Sequence, residues 1–410
     1  MSRTDDRRSA LTIPMGPLAG DVIEVEVTGL AAGGDGVARD AGGRVTFVPR
    51  TAPGDRVRAR IVKTTSSLAH AELVEILTAS PSRVEPPCPH FELGCGGCAW
   101  QHVSRDEQLK AKQTIVSGAL RRLADLDLHP IRDPAPPYGW RRRARFHIAS
   151  GRVGLYALGT HRVLPIDHCP QLEPKLDAAY ATVRSASPPD GELALVLGQA
   201  GEIAIGVQKP WKLGEKLVGR SEIKGVVTTD AKYGQPLVEV EPALSIEPWD
   251  FAQASATGNA ALIDVVREAV GKGPGRLVEL FAGGGNFTRA FLVDDWDVVA
   301  SDVVAPPRTL PVKFIVGEAV DVLAKNLGKI DVLVLDPPRT GAAGCMDAIA
   351  KLAPPLVVYI SCDPSTLARD AERLVAAGYH ATDAWPVDLM PQTAHVEVVL
   401  RLTRDPDGVR

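Results

Sequence analysis

A chain of 410 residues, 45% hydrophobic and 23% charged with a formal net charge of −4, has room for two or three domains with ample cores. No run of about 18 uninterrupted apolar residues occurs, and the charged start MSRTDDRRSALTIPMG lacks the apolar segment of a secretory signal. A disordered tail over 1–15, no membrane span, a cytoplasmic location and no structural disulfides are therefore expected, so the six cysteines need another explanation.

Residues 16–78 carry DVIEVEV, RVTFVPR, RVRARIV and HAELVEIL, short β-branched runs separated by the turns AAGGDG and APGD. They predict an OB-like barrel, an architecture often used to bind oligonucleotides. The Pro-rich ASPSRVEPPCP then breaks the chain and opens a central domain over 79–245. Within it, 104–126 reads as a helix with Ser104 as cap and Glu107 three residues on, a helix able to pack on the following domain. ARFHIA, GRVGLYA, ELALVLG and EIAIGVQ make the remainder β-rich.

Two features of this central stretch carry chemistry. Cys88, Cys95 and Cys98 are spaced C-x6-C-x2-C, and Cys169 in DHCPQL is a candidate fourth ligand. Four thiolates can hold zinc or an iron–sulfur cluster, and spacing leaves both open. His90, His102 and His168 flank these cysteines and read as outer partners rather than ligands, and Cys345 reads as a core or surface thiol. Residues 134–166 hold Arg141, Arg142, Arg143, Arg145, Arg152 and Arg162 with no Asp or Glu, a local basic field able to grip phosphates.

From 246 to 405 apolar strands alternate with helices: RLVELFAGGGNFT, WDVVASD, VKFIVGEA, IDVLVLDPPR and PPLVVYISCD each end in a loop. That alternation predicts an α/β, doubly wound, Rossmann-like sheet with ligands at the carboxyl ends of its strands. Gly283-x-Gly285 lacks the third glycine of a dinucleotide fingerprint, and Asp302 closes the next strand where a carboxylate can accept from ribose hydroxyls. S-adenosylmethionine fits that pattern at least as well as NAD. Cys362 lies just past the last strand of the series. Taken alone it reads as a small core hydrophobe, and its place at the crevice makes it a candidate nucleophile.

Four ordered motifs, LFAGGGNFT, DPPRTG, YISCDPSTLARD and MPQTAHVEVVL, resemble those of the uracil-C5 RNA methyltransferases, the family of TrmA and RlmD (RumA). The resemblance spans nearly the whole chain and implies a class I methyltransferase fold. By it, Cys362 is the nucleophile that adds to uracil C6 and Glu397 the base that removes the C5 proton. It assigns Gln253, Phe281, Gly283, Gly285, Asn286, Asp302, Glu318 and Asp336 to the S-adenosylmethionine site. It also implies a [4Fe–4S] cluster on Cys88, Cys95, Cys98 and Cys169, and RNA phosphate contacts from Arg141, Arg143 and Arg145. The N-terminal barrel looks like a TRAM domain. Barrel plus cluster resembles the 23S rRNA branch, with tRNA the alternative substrate, and a monomer is expected.

Two residues depart from the family pattern: Asp363 stands for Asn after the cysteine, and Ser255 for Asn in F-x-Q-x-N. The Asp363 charge is expected to raise the thiol pKa. Two other classes compete. A redox-sensing RNA-binding protein would have no use for Cys362 with Glu397. A methylase of exocyclic amines would carry an aromatic residue where Arg339 follows the prolines.

Overall fold

Leu356–Ser361, a strand whose first five residues are apolar, is buried on both faces, as strands of a parallel sheet covered by helices must be. The computed structural model describes residues 17–404. These divide into two units, one of residues up to Glu85 with His102–Ser104, the other of Pro86–Gln101 with Arg105 onward.

The first unit is a closed barrel of β1 (Val22–Leu30), β2 (Gly36–Arg39), β3 (Val45–Val48), β4 (Arg56–Thr64) and β5 (Leu68–Thr78), ordered β1-β2-β3-β5-β4. Alternate residues such as Val25, Val27, Val57, Ala59 and Ile61 fill its interior. The fully buried Asp55 accepts from the Ala52 and Ser80 amides and from the Arg83 guanidinium, which ties the exit of the barrel to its turns. His102 was expected beside the cysteines. It falls in this barrel unit, where burial pushes its imidazole down to about 4.

In the second unit, α1 (Pro89–Glu92) and α2 (Arg105–Leu120) precede the short β6 (Asp127–Leu128). A seven-stranded sheet follows, built from β7 (Arg143–Ala149), β8 (Arg152–Tyr156), β9 (Val163–Pro165), β10 (Gly191–Leu197), β11 (Ile203–Val207), β12 (Ile223–Val227) and β13 (Lys232–Gly234). Its order is β13-β12-β11-β10-β7-β8-β9, and α3 (Pro174–Ser185) packs Leu176, Ala179, Tyr180 and Val183 into its core. A small hairpin, β14 (Val238–Glu241) and β15 (Leu244–Ile246), leads into α4 (Ala256–Val270).

The last stretch is the α/β layer. Its elements are β16 (Arg276–Leu280), α5 (Thr288–Val293), β17 (Asp297–Asp302), β18 (Lys313–Val316), α6 (Ala319–Leu323), β19 (Val332–Leu335), α7 (Met346–Leu352), β20 (Leu356–Ser361), α8 (Pro364–Ala376), β21 (His380–Val387) and β22 (Glu397–Thr403). The sheet order is β18-β17-β16-β19-β20-β22-β21-β6. Strands β18 to β20 are parallel and β22 runs antiparallel beside β20. The order reverses between β16 and β19, which opens a crevice at their carboxyl ends.

The expected helix over 104–126 is observed as α2, Arg105–Leu120. Val116 and Leu120 from it, and Leu123 beyond, join the core formed by β16, β19 and β20, so this helix packs on the α/β layer. Beyond it β6 adds an edge strand beside β21. No sequence signal marked it, because two residues are too few to show a period.

Candidate active site

Cys362 sits between β20 and α8, half-buried at the carboxyl edge of the sheet. Pro364 at the first helical position and Asp363 at the cap start α8 directly after the thiol. The Asp363 carboxylate accepts from the Ser365 and Thr366 amides at 2.9 and 3.0 Å. That turns it onto the helix terminus, and the carboxylates that act on the thiol are those of Glu397 and Asp336. Asp in place of Asn is therefore a cap-for-cap exchange. Ser255 is likewise the cap of α4, accepting from Gly258 at 3.0 Å.

The antiparallel pairing of β22 with β20 explains how Glu397 reaches the same edge. Leu356 pairs with Thr403 and Ser361 with Val398, so the next step of that register sets Cys362 opposite Glu397. Glu397 is buried. Asp336 follows β19, the next strand over.

Cys362 and Glu397 share one cation, Arg339. Burial, then the Glu397 carboxylate, push the Cys362 thiol up to about 11, with Asp336 adding to the rise and Arg339 opposing it. Burial and Asp336 push Glu397 up to about 8, again with Arg339 opposing. Burial pushes Asp336 up to about 7. Arg339, which ends DPPR, also donates to His395 Nε2 at 3.3 Å, and burial followed by that guanidinium holds the imidazole down at about 4, a neutral acceptor. Reading the residues one by one missed Arg339, although the arginine after the paired prolines was its signal.

The DPPR loop is held from behind by α8. Asp370, fully buried, accepts from the Ala342 amide and the Tyr359 hydroxyl, each at 2.8 Å, and Arg369 donates to the Thr340 carbonyl at 2.9 Å. The LARD stretch of the cysteine motif thus fixes the loop that carries Asp336 and Arg339.

At the β16 end, Phe281 adopts a left-handed φ of 60°, a costly conformation for a bulky side chain and common where a loop is shaped for a ligand. Gly283 follows at φ 53° with no atom within 4 Å of where a Cβ would stand, so open space lies above the loop. The Gly283 amide donates to Asp302 Oδ2 at 2.9 Å, and Val304 donates to Oδ1, orienting this carboxylate at the end of β17. Gly285 closes the turn by donating to Ala282 at 2.8 Å. Glu318 is exposed at the start of α6. Gln253 lies two residues before the Ser255 cap, and its carbonyl accepts from Arg142.

Asn286 was expected at the donor. Its amide exchanges two hydrogen bonds with Asn259, 2.8 and 2.9 Å, and Asn259 also donates to Glu241. The side chain therefore ties the Gly loop to α4. Glu279 inside β16 was missed. It is buried, accepts from the Thr288 hydroxyl, and is pushed up to about 8 by burial. A single acid in an apolar strand gave no separate signal beside the glycine loop.

A second site gathers all four expected cysteines. Cys88, Cys95, Cys98 and Cys169 line one cavity of about 160 Å³, together with His90, His168 and Arg141. Gly96 donates to the Tyr156 carbonyl, and a Cβ there would stand 2.9 Å from that oxygen, so only glycine lets the Cys95–Cys98 turn lie against β8. Burial pushes Cys98 up to about 12 and Cys169 up to about 11. Arg141 was expected on RNA phosphates. Arg141 is half-buried with its guanidinium over Trp140, facing the Cys98 and Cys169 sulfurs. Arg143 is half-buried over Phe251, and burial, then Arg145, bring it down to about 10. Arg145 is exposed over Trp249. Cys345 lies in the core of the α/β layer.

Comparison with known proteins places this architecture. Residues 18–74 match the TRAM domain. The chain is 33% identical to the 23S rRNA (uracil(1939)-C(5))-methyltransferase RlmD of a Marinomonas species, over 98% of this chain and 99% of that protein. It is 31% identical to the RlmD of Alkalilimnicola ehrlichii, covering 93% and 96%, and 32% identical to an uncharacterized RNA methyltransferase of Caulobacter vibrioides, covering 93% and 100%. The fold is also that of the Pyrococcus abyssi tRNA (uracil-54, C5)-methyltransferase, solved with S-adenosyl-L-homocysteine: TM-score 0.73 at 19% identity, over 93% of this chain and all of that one. With a TRAM domain ahead of a methyltransferase layer, and full-length identity above 30%, this chain belongs to the RNA uracil-C5 methyltransferase family.

Proposed function

We propose that the protein methylates C5 of a uracil in RNA, with 23S rRNA as its substrate and tRNA as the alternative. The observation that carries this is the strand register that sets Cys362 opposite Glu397 at the crevice edge, with Asp336 and Arg339 beside them. Full-length likeness to two RlmD proteins supports the rRNA choice.

C5 of uracil is a poor nucleophile. Addition of the Cys362 thiolate to C6 pushes an electron pair through C5 toward the C4 carbonyl and makes C5 nucleophilic. S-adenosylmethionine supplies the electrophilic methyl group. Glu397 then takes the C5 proton, and the returning electron pair expels Cys362. Arg339 favours the thiolate. A pKa of about 8 suits Glu397 to proton removal near neutral pH, because a base is most effective when its pKa lies near the working pH. A base buried in an RNA fold cannot reach this edge, so the target nucleotide must be turned out of its stack.

The open space over Gly283, the strained Phe281 and the oriented Asp302 fit a nucleoside donor. Gln253, Phe281, Gly283, Gly285, Asp302, Glu318 and Asp336 would hold it, with Asn286 shaping the loop. Cys88, Cys95, Cys98 and Cys169 would hold a [4Fe–4S] cluster. A guanidinium facing the thiols suits a group of net negative charge. The methylation scheme uses no electron transfer, so the cluster's part is structural or in docking the RNA. Arg143 and Arg145 remain as RNA contacts. No described helix is long and apolar enough to cross a membrane.

The test is Glu397→Gln. It should leave addition and methyl transfer intact and trap a covalent RNA–protein adduct on denaturing gels. A variant that turns over normally, or forms no adduct while wild type is active, would remove Glu397 from the scheme.

A further inference from the structure

Glu397 begins β22, and the loop before it, residues 388–396, is gripped by the helix that follows the cysteine segment. At its base, Asp388 takes Lys112 Nζ on one oxygen and Arg105 on the other, each at 2.6 Å, and Lys112 also donates to the Met390 carbonyl. At its tip, Gln108 Nε2 donates to Gln392 Oε1 at 2.9 Å, and the Gln392 amide returns a bond to Gln108 Oε1 at 3.0 Å. The same Gln108 nitrogen donates to the Trp100 carbonyl, and the Trp100 amide donates to the Gln392 carbonyl at 3.0 Å. Trp100, Gln108 and Gln392 are each less than 5% exposed. Gln392 is held at a left-handed φ of 67°, a conformation that persists in a non-glycine residue only when its surroundings impose it.

Trp100 stands two residues past Cys98. The clasp is therefore a continuous hydrogen-bonded link from the cysteine pocket to the loop that delivers Glu397. From the tip the chain continues through Thr393, whose hydroxyl donates to the Met390 carbonyl and accepts from the His395 amide, and then enters β22.

We propose that Gln108 and Gln392 are positioning residues for Glu397, and that through Trp100 they make the placement of the base depend on the Cys95–Cys98 segment. The inference rests on Glu397 acting as the base. It predicts a selective defect: with the clasp broken, addition to C6 and methyl transfer proceed, while proton removal slows because the carboxylate is displaced.

The experiment compares Gln108→Leu, Gln392→Leu and Gln392→Glu. Gln392→Glu keeps an acceptor for Gln108 and should restore most of what Gln392→Leu loses. Hydrogen exchange should show the 388–397 segment losing protection in both leucine variants while the rest of the α/β layer keeps it. Release of C5 tritium from RNA should fall about 10- to 100-fold, the scale expected when a catalytic group is displaced by about 1 Å, with covalent adduct accumulating and donor affinity unchanged. Unaltered protection of 388–397, or parallel loss of adduct and tritium release, would overturn the proposal. If wild type releases no tritium the functional reading has failed, and exchange alone then decides whether the clasp holds the loop.

Discussion

Cys362 stands at the end of a strand whose neighbours fix it by register, whereas Cys88, Cys95, Cys98 and Cys169 hang on loops gathered beside the central sheet. Burial raises the thiol pKa of Cys362 as it does those of Cys98 and Cys169, and the relief differs. At Cys362 the opposing charge is Arg339, on an exposed side chain next to two carboxylates that themselves titrate near neutrality. In the loop pocket it is Arg141, half-buried with no carboxylate among the pocket-lining residues. A thiol that must gain and lose a bond in each cycle sits among protons that can move. The thiols proposed to hold a cluster sit beside a charge that cannot.

The sharpest way to break that contrast is at the strand-end thiol. Cys362→Ala should reduce methylation and adduct formation to background while S-adenosylmethionine still binds, as isothermal calorimetry would show; residual turnover would mean the nucleophile lies elsewhere. Next in size, Arg339→Ala should lower turnover by about 100-fold and move the rising limb of the pH–rate profile to higher pH, because the cation lowers the pKa of both thiol and base. A profile lowered without displacement would mean that Arg339 only binds RNA.

On the loop side, Arg141→Ala and Arg145→Ala should separate. Arg141→Ala should reduce the iron and sulfide retained by anaerobically purified protein. Arg145→Ala should keep both and reduce the salt slope of RNA binding by about 1, the signature of one lost phosphate contact. Stoichiometric zinc in place of iron would overturn the cluster.

The smallest effect concerns the buried acids. Glu279 has a raised pKa, so its contribution to stability is complete below the ordinary carboxyl range and is lost as pH rises through about 8. Glu279→Gln keeps an acceptor for Thr288 and should raise the melting temperature at about pH 9 relative to wild type, with little difference at about pH 5. Equal shifts at both pH values would contradict the assigned burial cost.

Much of the catalytic layer was legible because parallel strands announce themselves as apolar runs and their ends carry the chemistry. LVVYIS followed by Cys362, and VLVL followed by Asp336, need only the rule that ligands gather at carboxyl ends. What stayed hidden depends on contacts between distant segments. Asn286 is engaged by Asn259, Asp370 reaches the DPPR loop, and Arg141 turns inward to the thiols. In each case the residue type announces hydrogen bonding or charge, and only packing decides which partner receives it. Cys169 was the exception: its DHCPQL setting and the family likeness marked it, although α1, α2 and four strands separate it from Cys88.

The central claim is chemical, that a thiol at this strand end activates uracil C5. RNA carrying tritium at uracil C5, incubated with the protein and S-adenosylmethionine, tests it directly. The account predicts tritium release from 23S rRNA fragments, one tritium per methyl group transferred, lost in Cys362→Ala. Methyl transfer without tritium release would place the methyl group on another atom and contradict the account.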